Sequence, residues 1–190
     1  MGKREAILQA TIDVVAKQGI ADSPTILIAK EAGAAELTLF RLFRNKQGLL
    51  FQAYDEVIQR FRDTALYELK DVTGAEQKLV TLLKVVVVFA RRYPNELAYF
   101  QQYINSAEGL LQRPDIKYER GEDISGYPLV AILDEGKKQG VFKDLPMTAL
   151  MGLASAAMIM FLREERIRAI KHTETEINLL IQAILQAVKA

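Results

Sequence analysis

Apolar residues recur along this chain at intervals of three and four, and no stretch keeps the strict alternation of a half-buried strand. Ile7, Leu8, Thr11, Ile12 and Val15 set the pattern and predict a helix over residues 3–18. Gly19 ends it, because glycine tolerates the positive φ that follows a last helical turn. Ser23-Pro24 predicts the start of a second helix: serine can accept from unpaired amides, and proline fits a first turn. Ile28, Ala29 and Ala32 would face inward, and Gly33 would stop this helix after about two turns. A short third helix follows over residues 35–43. Asn45 reads as the cap of a fourth, over 46–69, with Leu49, Leu50, Ala53, Val57 and Phe61 on one face.

The remainder is also helical. Residues 75–92 carry Leu79, Leu82, Leu83, Val86, Phe89 and Ala90 around most of the circumference, which implies burial on all sides. Val85 to Val88 is β-branched, but both flanks keep the helical period. Pro94 breaks this helix and a shorter one runs from Asn95 to about Tyr103. Residues 106–128 form a long connection rich in Gly, Pro and charge, partly helical. Helices over 129–139, 147–170 and from Thr173 onward complete the chain. The last repeats Ile177, Leu180, Ile181, Ile184, Leu185 and Val188. The fold class is therefore all-α with about nine helices.

Composition adds boundaries. The chain has 190 residues, 50% of them apolar and 26% charged, with a net charge of +1. That is enough for a real core without covalent staples. With no cysteine there is neither a disulfide nor a thiolate metal site. With one histidine besides, His172, no Ser-His-Asp, Cys-His or multi-histidine metal set can be assembled. No phosphate-cradling glycine motif occurs either. Neither an enzyme nor a cofactor protein is expected. Lys3 and Arg4 are followed by a mixed segment rather than an apolar leader. The run from Ala149 to Leu162 is too short to cross a bilayer. The expectation is a soluble cytoplasmic protein that does not contact membranes.

The first 50 residues hold seven Lys or Arg against five Asp or Glu, a small positive excess. Within them, residues 23–50 give a short helix, a glycine turn, a second short helix and a new capped helix. That order is a helix-turn-helix. In such a motif the second helix enters the major groove and its first residues reach base edges. Those residues here are Ala35, Glu36, Leu37 and Thr38.

The stretch resembles the TetR family of regulators. The resemblance rests on Ile28-Ala29, Ala32-Gly33, Thr38-Leu39-Phe40, Arg41, Phe43, Lys46 and Leu49-Leu50. Upstream it rests on Arg4, Ile7-Leu8, Ala10 and Lys17-Gln18-Gly19. It covers residues 3–55; beyond that only length and helical layout agree. The resemblance implies a homodimeric, ligand-responsive repressor. Residues 1–46 would form an N-terminal three-helix bundle for DNA binding, and residues 47–190 a ligand-binding and dimerisation domain. DNA contacts would come from Ala35, Glu36, Leu37, Thr38, Phe40, Arg41, Arg44 and Lys46, with solvated surface as the plainer reading of the charged ones. Two recognition helices about one helical turn apart would read a palindromic operator in double-stranded DNA.

Several positions depart from that family's pattern. Phe40 lacks a tyrosine's hydroxyl. Glu36 and Leu37 stand where basic or small residues are usual, and Ile26 and Leu27 where polar ones are. Gly48 replaces the carboxylate of a capping box. These departures predict unusual operator preference or weak DNA binding. They also motivate an alternative: a helical dimeric sensor or interaction protein of this fold with weak or lost DNA binding.

Two further sets stand out. Phe89, Tyr93, Tyr99, Phe100, Tyr103, Tyr118, Met158 and Phe161 could line a cavity for a small apolar or amphipathic effector, or could equally be core. Ala149, Gly152 and Ala156 lie on a helix apolar enough to need two burial surfaces. With Ile177, Leu180, Ile181, Ile184, Leu185 and Val188 they predict a four-helix interface about a two-fold axis.

Overall fold

The computed structural model describes residues 2–124 and 126–190. Ten α-helices occur among them: α1 Lys3–Gln18, α2 Thr25–Glu31, α3 Glu36–Phe43, α4 Lys46–Leu69, α5 Ala75–Arg92, α6 Pro94–Ile104, α7 Pro114–Glu119, α8 Pro128–Lys138, α9 Met147–Arg168 and α10 Glu174–Val188. The helix beyond the expected nine is α7, in the charged connection. The Val85 to Val88 run is helical, as its flanks required. Val88 is 63% exposed, so α5 is not buried all round.

The chain divides into two compact units, Met1–Arg60 with Tyr93–Arg113, and Phe61–Arg92 with Pro114–Ala190. In the first, Ile7, Leu8, Ile12 and Val15 of α1 join Ile28 of α2, Leu39 and Phe43 of α3 and Leu49 and Leu50 of α4 in one apolar cluster. Each of these fully buried aliphatic side chains stabilises the unit by about 1.5–3 kcal/mol. Tyr99 and Tyr103 of α6 complete the cluster. Polar ties hold α6 along α1: Asn95 Nδ2 donates to Asp13 Oδ1 (2.8 Å) and Gln102 Nε2 to the Val15 carbonyl (2.9 Å).

In the second unit, α9 packs against α5, α7, α8 and α10, and α5 also packs against α8 and α10. Leu150, Ala154, Met158 and Leu162 are the buried face of α9. A Cβ at Gly136 would stand 2.1 Å from the Phe142 ring, so only glycine lets that ring lie against α8. Thr173 and Glu176 form a reciprocal capping box at the start of α10. The Ala149 to Leu162 run belongs to a 22-residue helix that reaches the length and hydropathy of a membrane span, which corrects the expectation that it is too short. One of its faces is a core face within this unit.

Candidate nucleic-acid interface

The helix-turn-helix is built by local rules. After α2, Ala34 N–H donates to the Ala29 carbonyl (2.9 Å) and Gly33 N–H to that of Lys30 (3.1 Å). With Gly33 at φ +63° this is a Schellman stop, and glycine adopts that φ without strain. Ser23 does not cap α2: its hydroxyl donates to the Gly19 carbonyl (2.5 Å), closing the end of α1 instead. Proline at 24 leaves one amide fewer to cap at α2's start.

The turn from α3 to α4 is tighter. Asn45 N–H donates to the Phe43 carbonyl (2.8 Å) across Arg44, which is held at φ +67°. A three-residue turn at positive φ is a γ-turn, a strained form for a residue with a Cβ. Asn45 Oδ1 then accepts from Gly48 N–H (2.7 Å), the expected cap of α4. A Cβ at Gly48 would lie 2.5 Å from the Phe43 carbonyl oxygen. The missing carboxylate at this position is therefore the condition for the turn.

Leu37, Phe40 and Arg41 fall on the outer face of α3, opposite buried Leu39 and Phe43, and Arg44 follows in the turn at its end. Leu37 is 70% exposed, while Ala35 is the exposed N-terminal flank and Thr38 is half-buried. Arg41 and Arg44 are exposed, and no ion pair engages them among the described residues. Glu36 turns inward: its Oε1 accepts from the Thr25 hydroxyl (2.6 Å), joining the first turns of α2 and α3. Lys46 Nζ donates to the Ile20 carbonyl (2.9 Å), which holds the start of α4 to the loop after α1. An ammonium has two donors beyond that one. The cavity beside it is lined by Ile20, Asn45, Lys46, Gln47, Leu50 and Glu108 among others.

The aromatic set is shared between the two units. Tyr93, Tyr99, Phe100 and Tyr103 lie in the first unit, and Phe89, Tyr118, Met158 and Phe161 in the second. Tyr99 is fully buried and its hydroxyl donates to the Leu50 carbonyl (2.6 Å); burial pushes its pKa well up. Tyr118 donates to Asp134 Oδ1 (2.7 Å), a bond that raises its pKa. Phe161 stacks on the His172 ring at 3.4 Å. Arg91 grips Glu165 through two nitrogens (3.1 and 2.6 Å) and donates also to the His172 carbonyl (2.8 Å). These bonds hold the Glu165 carboxyl below its usual range. The single histidine is thus part of a joint between α5, α9 and α10.

The α10 stripe also has a different place from the one expected. Ile177, Ile181, Ile184, Leu185 and Val188 are buried within the chain itself, where α10 meets α9 and α5, and Leu180 is half-buried. Periodicity reveals a buried face but not what covers it. Ala149, Gly152 and Ala156 are exposed on α9, and beside them so are Leu153, Ala157 and Met160. Leu179, 67% exposed on α10, was missed because it lies off the stripe. Ile26, one of the departures from the family pattern, is 60% exposed on α2.

Comparison with known proteins matches two successive segments of the chain. The description "Bacterial regulatory proteins, tetR family" matches residues 7–53, and "Tetracyclin repressor-like, C-terminal domain" matches residues 75–189. The chain belongs to the TetR family. Among curated relatives, the fatty acid metabolism regulator protein of Bacillus subtilis (strain 168) is 30% identical over 77 residues. That match spans 40% of this chain and 40% of that protein, so two fifths of the relative's length is covered. A TetR family transcription regulator from Marinobacter aquaeolei VT8 superposes with a TM-score of 0.83 at 23% identity, over 98% of this chain and 95% of that one. FadR from Bacillus subtilis, solved in complex with stearoyl-CoA, superposes at 0.72 with 20% identity, over 97% and 98%. At these identities the structures share a fold.

Proposed function

We propose that this chain is a ligand-responsive, DNA-binding transcriptional repressor acting as a homodimer in the cytoplasm. The observation that carries the reading is the outer face and end of α3, the second helix of a helix-turn-helix in a TetR chain, where Arg41 and Arg44 are exposed and engaged by no ion pair among the described residues. Two guanidinium groups at the end of that helix, engaged by no ion pair among the described residues, suit two phosphates. Residues 1–46 are the DNA-binding part and residues 47–190 the effector and dimerisation part. Ala35, Leu37 and Thr38 meet base edges, and Phe40, Arg41, Arg44 and Lys46 the backbone. Glu36 positions the two helices through Thr25.

Two copies pair through the exposed small and apolar face of α9, Ala149, Gly152 and Ala156 with Leu153 and Met160, which lets helices approach closely and sets two recognition helices on one palindromic duplex. The effector is apolar or amphipathic. The stearoyl-CoA bound by a relative of the same fold supports a long-chain acyl compound. Phe89, Tyr118, Met158 and Phe161 of the second unit are its candidate contacts. An effector that prefers the conformation unable to bind DNA would release the operator.

A second reading draws on Leu37, 70% exposed where a polar reader would serve, and on Lys46 turned to the Ile20 carbonyl: a dimeric sensor with little DNA affinity. Gel retardation of the DNA flanking the gene separates the two. The repressor reading expects retardation by two protomers per duplex, lost in an Arg44→Ala, Lys46→Ala variant and relieved by stearoyl-CoA. Absence of retardation at low salt supports the sensor.

A further inference from the structure

We propose that the chain reads its operator mainly through thymine methyl groups, with Leu37 and Ile26 as the reading side chains. The inference deepens the DNA-binding reading above and rests on it. The base edges are met by the start of the second helix of the motif. Here that start is Ala35, Glu36, Leu37 and Thr38. Glu36, the only charged group among them, is bonded to the Thr25 hydroxyl at 2.6 Å and half-buried, so it is not directed to a cytosine amino group. The same bond joins the first turns of α2 and α3. The next residue on each helix, Ile26 and Leu37, points out of the protein, 60% and 70% exposed.

Guanine is read by Arg or Lys and adenine by Asn or Gln, through paired hydrogen bonds. None of those four residue types occurs over residues 35–40; Arg41 lies one turn beyond Leu37, and Arg44 in the turn after α3. Thymine is the one base that shows an apolar group, its 5-methyl, in the major groove. Two branched aliphatic side chains and the Ala35 and Thr38 methyls match that group and offer almost nothing to guanine. The feature that weakens a hydrogen-bonding interface thus defines an apolar one. Discrimination then comes in steps of about four-fold per methyl, the transfer free energy of one buried carbon.

Deoxyuridine tests this, since it differs from thymidine by that methyl alone and pairs identically. An operator is first selected with the full chain from random duplexes, and each thymine is then replaced in turn. The expected result is a thymine-rich half-site in which at least one replacement weakens binding about four-fold. That loss disappears in Leu37→Ala or Ile26→Ala, and neither surface variant changes the circular dichroism of the folded chain. A selected operator in which every deoxyuridine is silent, or in which the loss persists in both variants, overturns the methyl readout and leaves DNA binding intact. If no sequence is enriched at low salt, DNA binding itself fails and the inference falls with it.

Discussion

Replacing Gly48 by alanine gives a prediction in which two physical effects oppose each other in sign. Gly48 occupies the first turn of α4 without a positive φ, so alanine is conformationally acceptable there. Helix propensity alone would make the variant more stable by up to about 1 kcal/mol. The new Cβ, however, would stand 2.5 Å from the Phe43 carbonyl oxygen and 3.3 Å from Asn45 Oδ1. The backbone of the γ-turn must retreat by about half an ångström, and the bond from Gly48 N–H to Asn45 stretches with it. Overpacking of this kind costs about 1–3 kcal/mol, and a weakened cap up to about 1 more. The net expectation is destabilisation by about 1–2 kcal/mol, a fall in Tm of roughly 2–8 °C for a chain of this size. Thermal unfolding followed by circular dichroism reads it, and DNA affinity should fall alongside because Arg44 and Lys46 flank the displaced turn. A Tm raised above that of the parent would refute the argument, since propensity would then have won.

Other substitutions follow from the same geometry. Arg44→Gly relieves a positive φ that costs roughly 1–2 kcal/mol, less about 0.5–1 kcal/mol for the glycine's entropy. Urea titration should find it slightly more stable while DNA binding weakens, and both quantities falling together would contradict this. Tyr99→Phe removes the hydroxyl bonded to the Leu50 carbonyl and should cost about 1 kcal/mol by the same titration. Glu165 has its folded pKa depressed by Arg91. Its ion pair therefore stabilises fully above the unfolded carboxylate value of about 4.3, and that stability is lost as pH falls through the depressed value. Glu165→Gln should be about 1–2 kcal/mol less stable at pH 7, below the range for fully buried pairs because Arg91 is 30% exposed. Its stability should also fall less steeply on acidification; a profile parallel to the parent's would count against the pair.

Helix positions were legible in the sequence because glycine, proline and the cap residues act over three or four residues. Gly19, Gly33 and Asn45 stop or start helices where expected. Ser23 was not legible: the serine hydroxyl is within reach of two helix ends, and only the path of the loop decides that it closes α1. The outer face of α3 could be read because Leu39 and Phe43 mark its inner side. Packing partners could not. The Ile177 to Val188 stripe has the same period whether it faces α9 of its own chain or another copy, and the exposed face of α9 becomes visible only once α5, α8 and α10 have covered the other. Tyr99 and Tyr103 likewise have the composition of a ligand site, but the α1 ties at Asn95 and Gln102 hold α6 in the core of the first unit.

The central claim is that the outer face of α3 holds DNA through Arg41 and Arg44. It is tested most directly by the salt dependence of affinity for the selected operator, in the parent chain and in an Arg41→Ala, Arg44→Ala variant. Each lost phosphate contact should reduce the slope of log K against log salt by about 0.9, or about 3.6 for the two arginines of both protomers. A variant with the parent's slope would contradict the account, as would a parent that binds no duplex at low salt.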